Sequence, residues 1–218
     1  MDSVSGVGVI DKGVLILQAL RDRPLDLAGL QRACDLPRAT AHRLVVALEH
    51  HHLVRRDAQG RFCLGFELVA LGRVAAEQFP LGEIAAPALT DLRERCGESV
   101  QLYVREDDAR RCVVSLQSPH ALRWIVPEGS LLPLDVGSAG RVLTGAALSP
   151  GGWIESVEER EAGVASVSAP VVDGRGVTIA AVGVSGPIER LTRSPGERFG
   201  PHVADAALAI STAVAART

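Results

Sequence analysis

The stretch Arg38-Ala39-Thr40-Ala41-His42-Arg43-Leu44 sets two arginines, a threonine and a histidine among alanines. A guanidinium can fork onto the O6 and N7 edge of guanine or onto a phosphate, and short apolar groups such as Ala39 and Val46 can touch thymine methyls. Such a set reads the major groove of duplex DNA, provided that one rigid element presents Arg38, Ala39, Thr40, His42 and Arg43 together.

A helix would do so. Pro37 lacks an amide and pushes Leu36 out of helical geometry, so a helix over Leu27 to Cys34, capped by Asp26, must stop there. Pro37 then suits the opening of a second helix running to about His52. At 100° per residue, Ala41, Leu44, Val45, Leu48 and His52 fall in one sector, and Ala39, Arg43, Val46, Ala47 and His50 fall opposite. Leu53 to Arg56 and Arg61 to Leu64 then alternate as strands about the turn Asp57-Ala58-Gln59-Gly60. Arg55, Arg56 and Arg61 thereby form a basic hairpin suited to the sugar-phosphate backbone. Val9 to Leu20 supplies a further helix packed on the other two. The layout is that of a winged helix-turn-helix; the plainer reading is a three-helix cap with solvated arginines.

A second candidate set lies at Val136-Gly137-Ser138-Ala139-Gly140-Arg141, where strand gives way to helix. The amides of Ser138, Ala139 and Gly140 can point together at an anion such as a small carboxylate, helped by the helix dipole. A Gly-rich helix cap is the alternative, since the segment is neither a P-loop nor a dinucleotide fingerprint. Around it the pattern predicts a helix from about Glu83 to Cys96, closed by Gly97. Strand-like runs follow at Ser99 to Arg105, Cys112 to Gln117, Leu122 to Val126, Ala165 to Val172 and Val177 to Ser185, the last two joined by the turn Asp173-Gly174-Arg175-Gly176. A final helix runs from about Glu197 to Ala216. Strands between flanking helices predict an α+β domain. Phe66 to Gln78 reads as a linking helix, with Phe79-Pro80-Leu81-Gly82 as a hinge, which predicts three regions: 1–65, 66–82 and 83–218.

Leu36 to Gly65 resembles the amino-terminal domain of the IclR family of bacterial transcription regulators, in which a recognition helix like Arg38 to Leu44 runs into a Leu-Val wing entry. Gly152-Trp153, Glu159-Arg160-Glu161, Gly163-Val164, Ser166 to Val171 and Ala180 to Pro187 are similar, in the same order, to the family's carboxy-terminal pattern. The resemblance implies an N-terminal winged helix-turn-helix plus a C-terminal GAF-like α/β effector-binding domain. It also implies dimer contacts from the linking helix and winged domain, and an effector pocket at Ser138, Ala139, Gly140, Ser156, Ser166, Gly183 and Ser185. Within the family the chain is most similar to an actinobacterial branch that regulates amino-acid metabolism.

The chain also departs from that pattern. Relatives often carry a carboxylate or another polar group in place of Ser156, a Ser in place of Gly183 and, in some, a Cys in place of Ser166. They usually have an additional helical segment before Trp153 that walls the pocket, where this chain has only Leu148-Ser149-Pro150-Gly151-Gly152. The shortening implies a more open site, a different ligand, or a domain that has lost sensing.

A net charge of −3 argues against a nucleic-acid binder until the chain is divided: Met1 to Gly65 carries +2 and the remainder −5. Modest phosphate attraction per subunit favours a dimer or larger assembly. No run of about 18 apolar residues and no basic secretory start occur, so a cytoplasmic protein without a membrane partner is expected. Cys34, Cys63, Cys96 and Cys112 lack zinc-site spacing and read as reduced thiols. His50-His51-His52 diverge by 100° per residue and cannot easily share an ion. Trp124 and Trp153 read as core fillers rather than ligand stacks, and Glu155, Glu158, Glu159 and Glu161 as solvated surface.

An enzyme would need a nucleophile, a base and an orienting group, yet outside the recognition helix and its end only His120 and His202 remain. No catalytic residue, metal or cofactor is expected. The sequence thus predicts a dimeric or tetrameric regulator of a palindromic operator, acting through Arg38, Ala39, Thr40, His42 and Arg43, with Arg56 and Arg61 tracking the backbone. A small carboxylate or amino-acid-like effector is the expected ligand. A winged-helix module used for protein contacts is the rival.

Overall fold

The computed structural model describes residues 7–78 and 80–217, and the chain divides into two compact units, 1–79 and 80–218. In the first, α1 (Gly8–Ala19), α2 (Leu27–Cys34) and α3 (Arg38–His50) precede a hairpin of β1 (Val54–Arg56) and β2 (Phe62–Leu64), and α4 (Glu67–Gln78) follows. The Asp26 carboxylate accepts from the Gly29 amide at 2.7 Å and so fixes the start of α2. Ile16, Leu30, Ala41, Leu44, Val45, Val54 and Phe62 meet in one core.

Three local expectations change. Pro37 is the extended residue before α3 rather than its first helical residue. The helix ends at His50, because the Leu53 amide returns to Leu48 O at 3.0 Å and His52 turns left-handed at φ 57°; His52 is therefore exposed and off the inner face. In α1 Ile16 is buried, whereas Val9, Ile10 and Val14 are exposed. Helix α4 buries none of its described residues.

The second unit contains α5 (Leu81–Cys96), β3 (Ser99–Glu106), β4 (Ala109–Leu116), β5 (Leu131–Pro133), α6 (Ser138–Leu143), β6 (Ile154–Val157), β7 (Val164–Val172), β8 (Thr178–Pro187), α7 (Ile188–Leu191) and α8 (Pro195–Ala215). The strands form one antiparallel sheet in the order β5-β4-β3-β8-β7-β6. Alternation gives it two unlike faces. Val100, Leu102, Val167, Ala169, Val171, Val182 and Val184 share a core with Leu89 and Leu92 of α5 and Phe199, Val203 and Ile210 of α8. The other face sets Tyr103, Cys112 and Ala181 against Ala139, Val142 and Leu143 of α6.

Leu122 to Val126, expected as a strand, takes no place in the sheet; the edge is β5 instead. Its carbonyls bond to side chains: Ser99 Oγ donates to Trp124 O at 2.7 Å and Arg190 Nη2 to Leu122 O at 2.9 Å. Helix α5 begins at Leu81, two residues earlier than expected, and strand β6, which carries Ser156, has no counterpart in the sequence reading. Before β6 the short segment closes tightly, with the Ser149 amide on Trp153 O at 2.9 Å. A Cβ at Gly151, Gly196 or Gly200 would collide with the Trp153 ring. Trp153 therefore sits in a slot of glycines against α8, as a core filler.

Candidate nucleic-acid face and ligand cavity

Helix α3 buries Ala41, Leu44 and Val45 and leaves Arg38, Ala39, His42, Arg43, Val46, Ala47 and His50 exposed, with Thr40 half-buried. Among the described residues the ion pairs leave Arg38 and Arg43 out, so both guanidiniums are open to an outside acceptor. The hairpin arginines differ. Arg56 donates to Glu49 at 3.0 Å and to Gly60 O at 3.3 Å and lies over the Phe62 ring at 4.2 Å. Arg61 pairs with Asp57 at 2.7 Å. Desolvation pushes the Asp57 carboxyl up, but bonds from the Arg61 side chain and from the Arg61 and Gln59 amides outweigh it and hold the group below its ordinary range. A phosphate must compete with Glu49 and Asp57 for these two arginines. Arg55, over Phe66 at 4.9 Å, has no carboxylate partner among the described residues.

In the second unit, strand register assembles hydroxyls on the α6 face of the sheet. Ser156, Ser166, Ser185 and Ser99 lie in one row across β6, β7, β8 and β3, and Ser168, Gly183 and Gln101 lie in the next. Ser138, the first residue of α6, hydrogen-bonds to Ser166 and Ser168, each at 2.8 Å. All of these but Ser99 line a cavity of about 40 Å³, together with Tyr103, Arg110, Trp124, Ala139 and the segment Glu159-Arg160-Glu161.

Of the seven positions expected to hold an effector, Ser138, Ala139, Ser156, Ser166, Gly183 and Ser185 border this cavity. Gly140 does not; it packs so closely on Leu134 and Arg110 that a Cβ would collide with both. Gly183 is explained by its neighbour, since a Cβ there would overlap Ser168 Oγ. Ser168, on the adjoining strand, places its hydroxyl where a side chain at Gly183 would lie. Glu159, expected on open surface, accepts from the Gly137 amide at 2.9 Å and pairs with Arg141 at 3.1 Å. Trp124 lines the cavity with the Arg160 guanidinium 5.0 Å above its ring, which core filling alone does not describe. Gln101, Arg110 and Ser168 were not singled out in the sequence; only the register of the sheet distinguishes them.

The described residues contain no group of His, Cys, Asp and Glu able to hold a metal ion, and no helix long and apolar enough to cross a membrane. The cysteines are free. Burial pushes the Cys96 thiol up to about 11 and that of Cys112 up to about 12.

Comparison with known proteins completes the picture. The IclR helix-turn-helix domain matches residues 9–58, and the bacterial transcriptional regulator IclR C-terminal domain matches in two pieces, 74–149 and 146–212, which meet at the shortened segment. The glycerol operon regulatory protein of Streptomyces griseus is 30% identical over 91% of this chain and 92% of its own. The HTH-type transcriptional repressor AllR of Escherichia coli is 25% identical over 96% and 91%. In fold, the chain is similar to an IclR homologue from Microbacterium hydrocarbonoxydans solved with 4-hydroxybenzoate, with a TM-score of 0.81, 22% identity and coverage of 95% and 99%. A transcriptional regulator of Rhodococcus sp. RHA1 gives 0.78, 23%, 97% and 100%. With a helix-turn-helix unit, a curled α/β unit and family matches along nearly its whole length, the chain belongs to the IclR family of transcriptional regulators, DNA-binding proteins and not enzymes.

Proposed function

We propose that this regulator binds a pseudo-palindromic duplex operator as a dimer or tetramer and responds to a small carboxylate or amino-acid-like effector. Helix α3 enters the major groove with Arg38, Ala39, Thr40, His42 and Arg43 at the base edges, and Arg56 and Arg61 follow the backbone. Exposed apolar side chains support self-association: Phe66, Val69, Leu71 and Val74 on and before α4, and Val9, Ile10 and Val14 on α1. The protein acts in the cytoplasm, and repression is the sign of control that the AllR relatives carry.

One observation carries the effector reading. Ser138, Ser156, Ser166 and Ser185 come from four separate elements to line one cavity, and a few convergent polar groups in a cavity mark a ligand site. The acid held by the Microbacterium homologue supports a carboxylate as the guest. Binding would shift the balance between arrangements of the paired winged domains. Target genes in amino-acid metabolism follow from the sequence resemblance; the glycerol operon named for two relatives is the competing assignment.

A second reading, a regulator without sensing, is favoured by the cavity volume of about 40 Å³, room for little more than a water or two. Genomic DNA captured on the purified protein should yield promoters sharing a palindrome. Thermal-shift screening of acids should raise the melting temperature, and a Ser185→Ala variant should lose that rise. Recovered promoters with no stabilising acid would select the second reading; no promoter at all would reject both.

A further inference from the structure

The cavity contains two buried donors that the chain leaves unused. Gln101, 1% exposed, accepts from Ser185 Oγ at 2.8 Å through Oε1, while its Nε2 has no partner among the described residues. Alternation along β3 puts this side chain on the cavity face, beside Gly183, which has no side chain to cover it. Arg110, 3% exposed, donates from Nη1 to Pro133 O and to Val136 O, and its Nε is likewise without a partner. No carboxylate pairs with it among the described residues. Burial lowers the hold of Arg110 on its proton; Tyr103, whose ring lies 5.5 Å beneath the guanidinium, and Asp135 oppose that, and the repulsion of Arg160 adds to it.

Acids line the same cavity as well. Glu159 and Glu161 are exposed, and Glu159 is engaged by the Gly137 amide and Arg141. A buried guanidinium without a counter-charge and a buried amide without an acceptor are each unfavourable, and both fall at one cavity. A carboxylate offers an acceptor to the Gln101 amide and a counter-charge to Arg110. The amides at the start of α6 and the serine rows would hold such a group from one side only.

We propose that Gln101 and Arg110 form a second ligand-contacting wall, contributed by β3 and β4, at which Gln101 Nε2 donates to a carboxylate oxygen of a short acid while Arg110 compensates its charge. This rests on the reading of the cavity as the effector site and adds to it two residues outside the serine set. A cavity of about 40 Å³ favours a short acid.

Calorimetric titration of the full-length protein with acetate, propanoate and succinate, and with acetamide and propanamide as neutral counterparts, tests the wall. Wild-type protein should bind the acids at least tenfold more tightly than the amides. Gln101→Glu keeps the acceptor for Ser185 and exchanges the donor for an anion, so it should lose at least tenfold for the acids and nothing for the amides. The melting temperature of the ligand-free variant checks that the loss is one of binding. Should Gln101→Glu fail to fold, Gln101→Met makes the same test by deleting the donor, again with at least a tenfold loss. Acids that bind the variant as tightly as wild type overturn the wall and leave the effector site standing. Wild-type protein that binds none of the acids overturns both.

Discussion

The outer face of α3 and the cavity on the α6 side of the sheet are built in opposite ways. The face is one helix, and its exposed residues follow from the 3.6-residue repeat alone. The cavity takes Ser138 from α6, Ser156 from β6, Ser166 and Ser168 from β7, Gly183 and Ser185 from β8, Gln101 from β3 and Arg110 from β4. A residue of the face can change without moving its neighbours. A slip of one residue in any of these strands would turn its cavity side chains to the opposite face. The exposed face is thus encoded locally, whereas the cavity depends on the whole sheet.

Substitutions can sharpen or break that contrast. The largest effect belongs to Leu102→Ala: this fully buried residue between Gln101 and Tyr103 should cost about 2 to 5 kcal/mol in chemical denaturation. By contrast Val46→Ala, at 41% exposure on α3, should stay within about 0.5 kcal/mol. Equal losses would erase the distinction.

Next comes Gly183→Ser, which forces a side chain into Ser168 Oγ and should destabilise by about 1 to 3 kcal/mol. Adding Ser168→Gly should recover part of that loss, since it removes the Ser168 Oγ clash but leaves the Val167 carbonyl oxygen 2.9 Å from the new Cβ; a double variant no better than the single one would refute the clash with Ser168. Arg43→Ala should weaken operator binding by about 1 to 3 kcal/mol in fluorescence anisotropy, without shifting the melting temperature. Unchanged affinity would remove Arg43 from the base-reading set.

The smallest effect is one of pH. Asp57 titrates below its ordinary range in the folded hairpin, so its contribution is present above the unfolded pKa and is lost as pH falls through the depressed folded value. Carboxyl NMR should place that titration below the ordinary Asp range, and Asp57→Asn should loosen Arg61 at neutral pH. A normal Asp57 titration would show that Arg61 is as free as Arg43.

Where the sequence could be read, the signal was local. Asp26 and Pro37 bracket α2 and the turn before α3, and the Asp173 carboxylate accepts from the Arg175 and Val177 amides, each at 2.9 Å, to fold the β7 to β8 turn. Where it misled, distant partners decided. Leu122 to Val126 has the residues of a strand, yet Ser99 and Arg190 satisfy its carbonyls, and β6 is a short edge that pairs only because β7 lies beside it.

Residue identity and short-range spacing alone determined the two helices, the turn between them, the arginines on their outer surface and the hairpin that follows. These are interactions within one or two turns of chain, which backbone geometry and side-chain period fix without help. The alignment of Ser156, Ser166, Ser185 and Ser99 into one row, the fit of Ser168 into the space at Gly183 and the placing of Gln101 and Arg110 on one cavity were decided only by the folded sheet. Those pairings join residues far apart in the chain, and their register is set by burying the opposite, apolar face against α5 and α8.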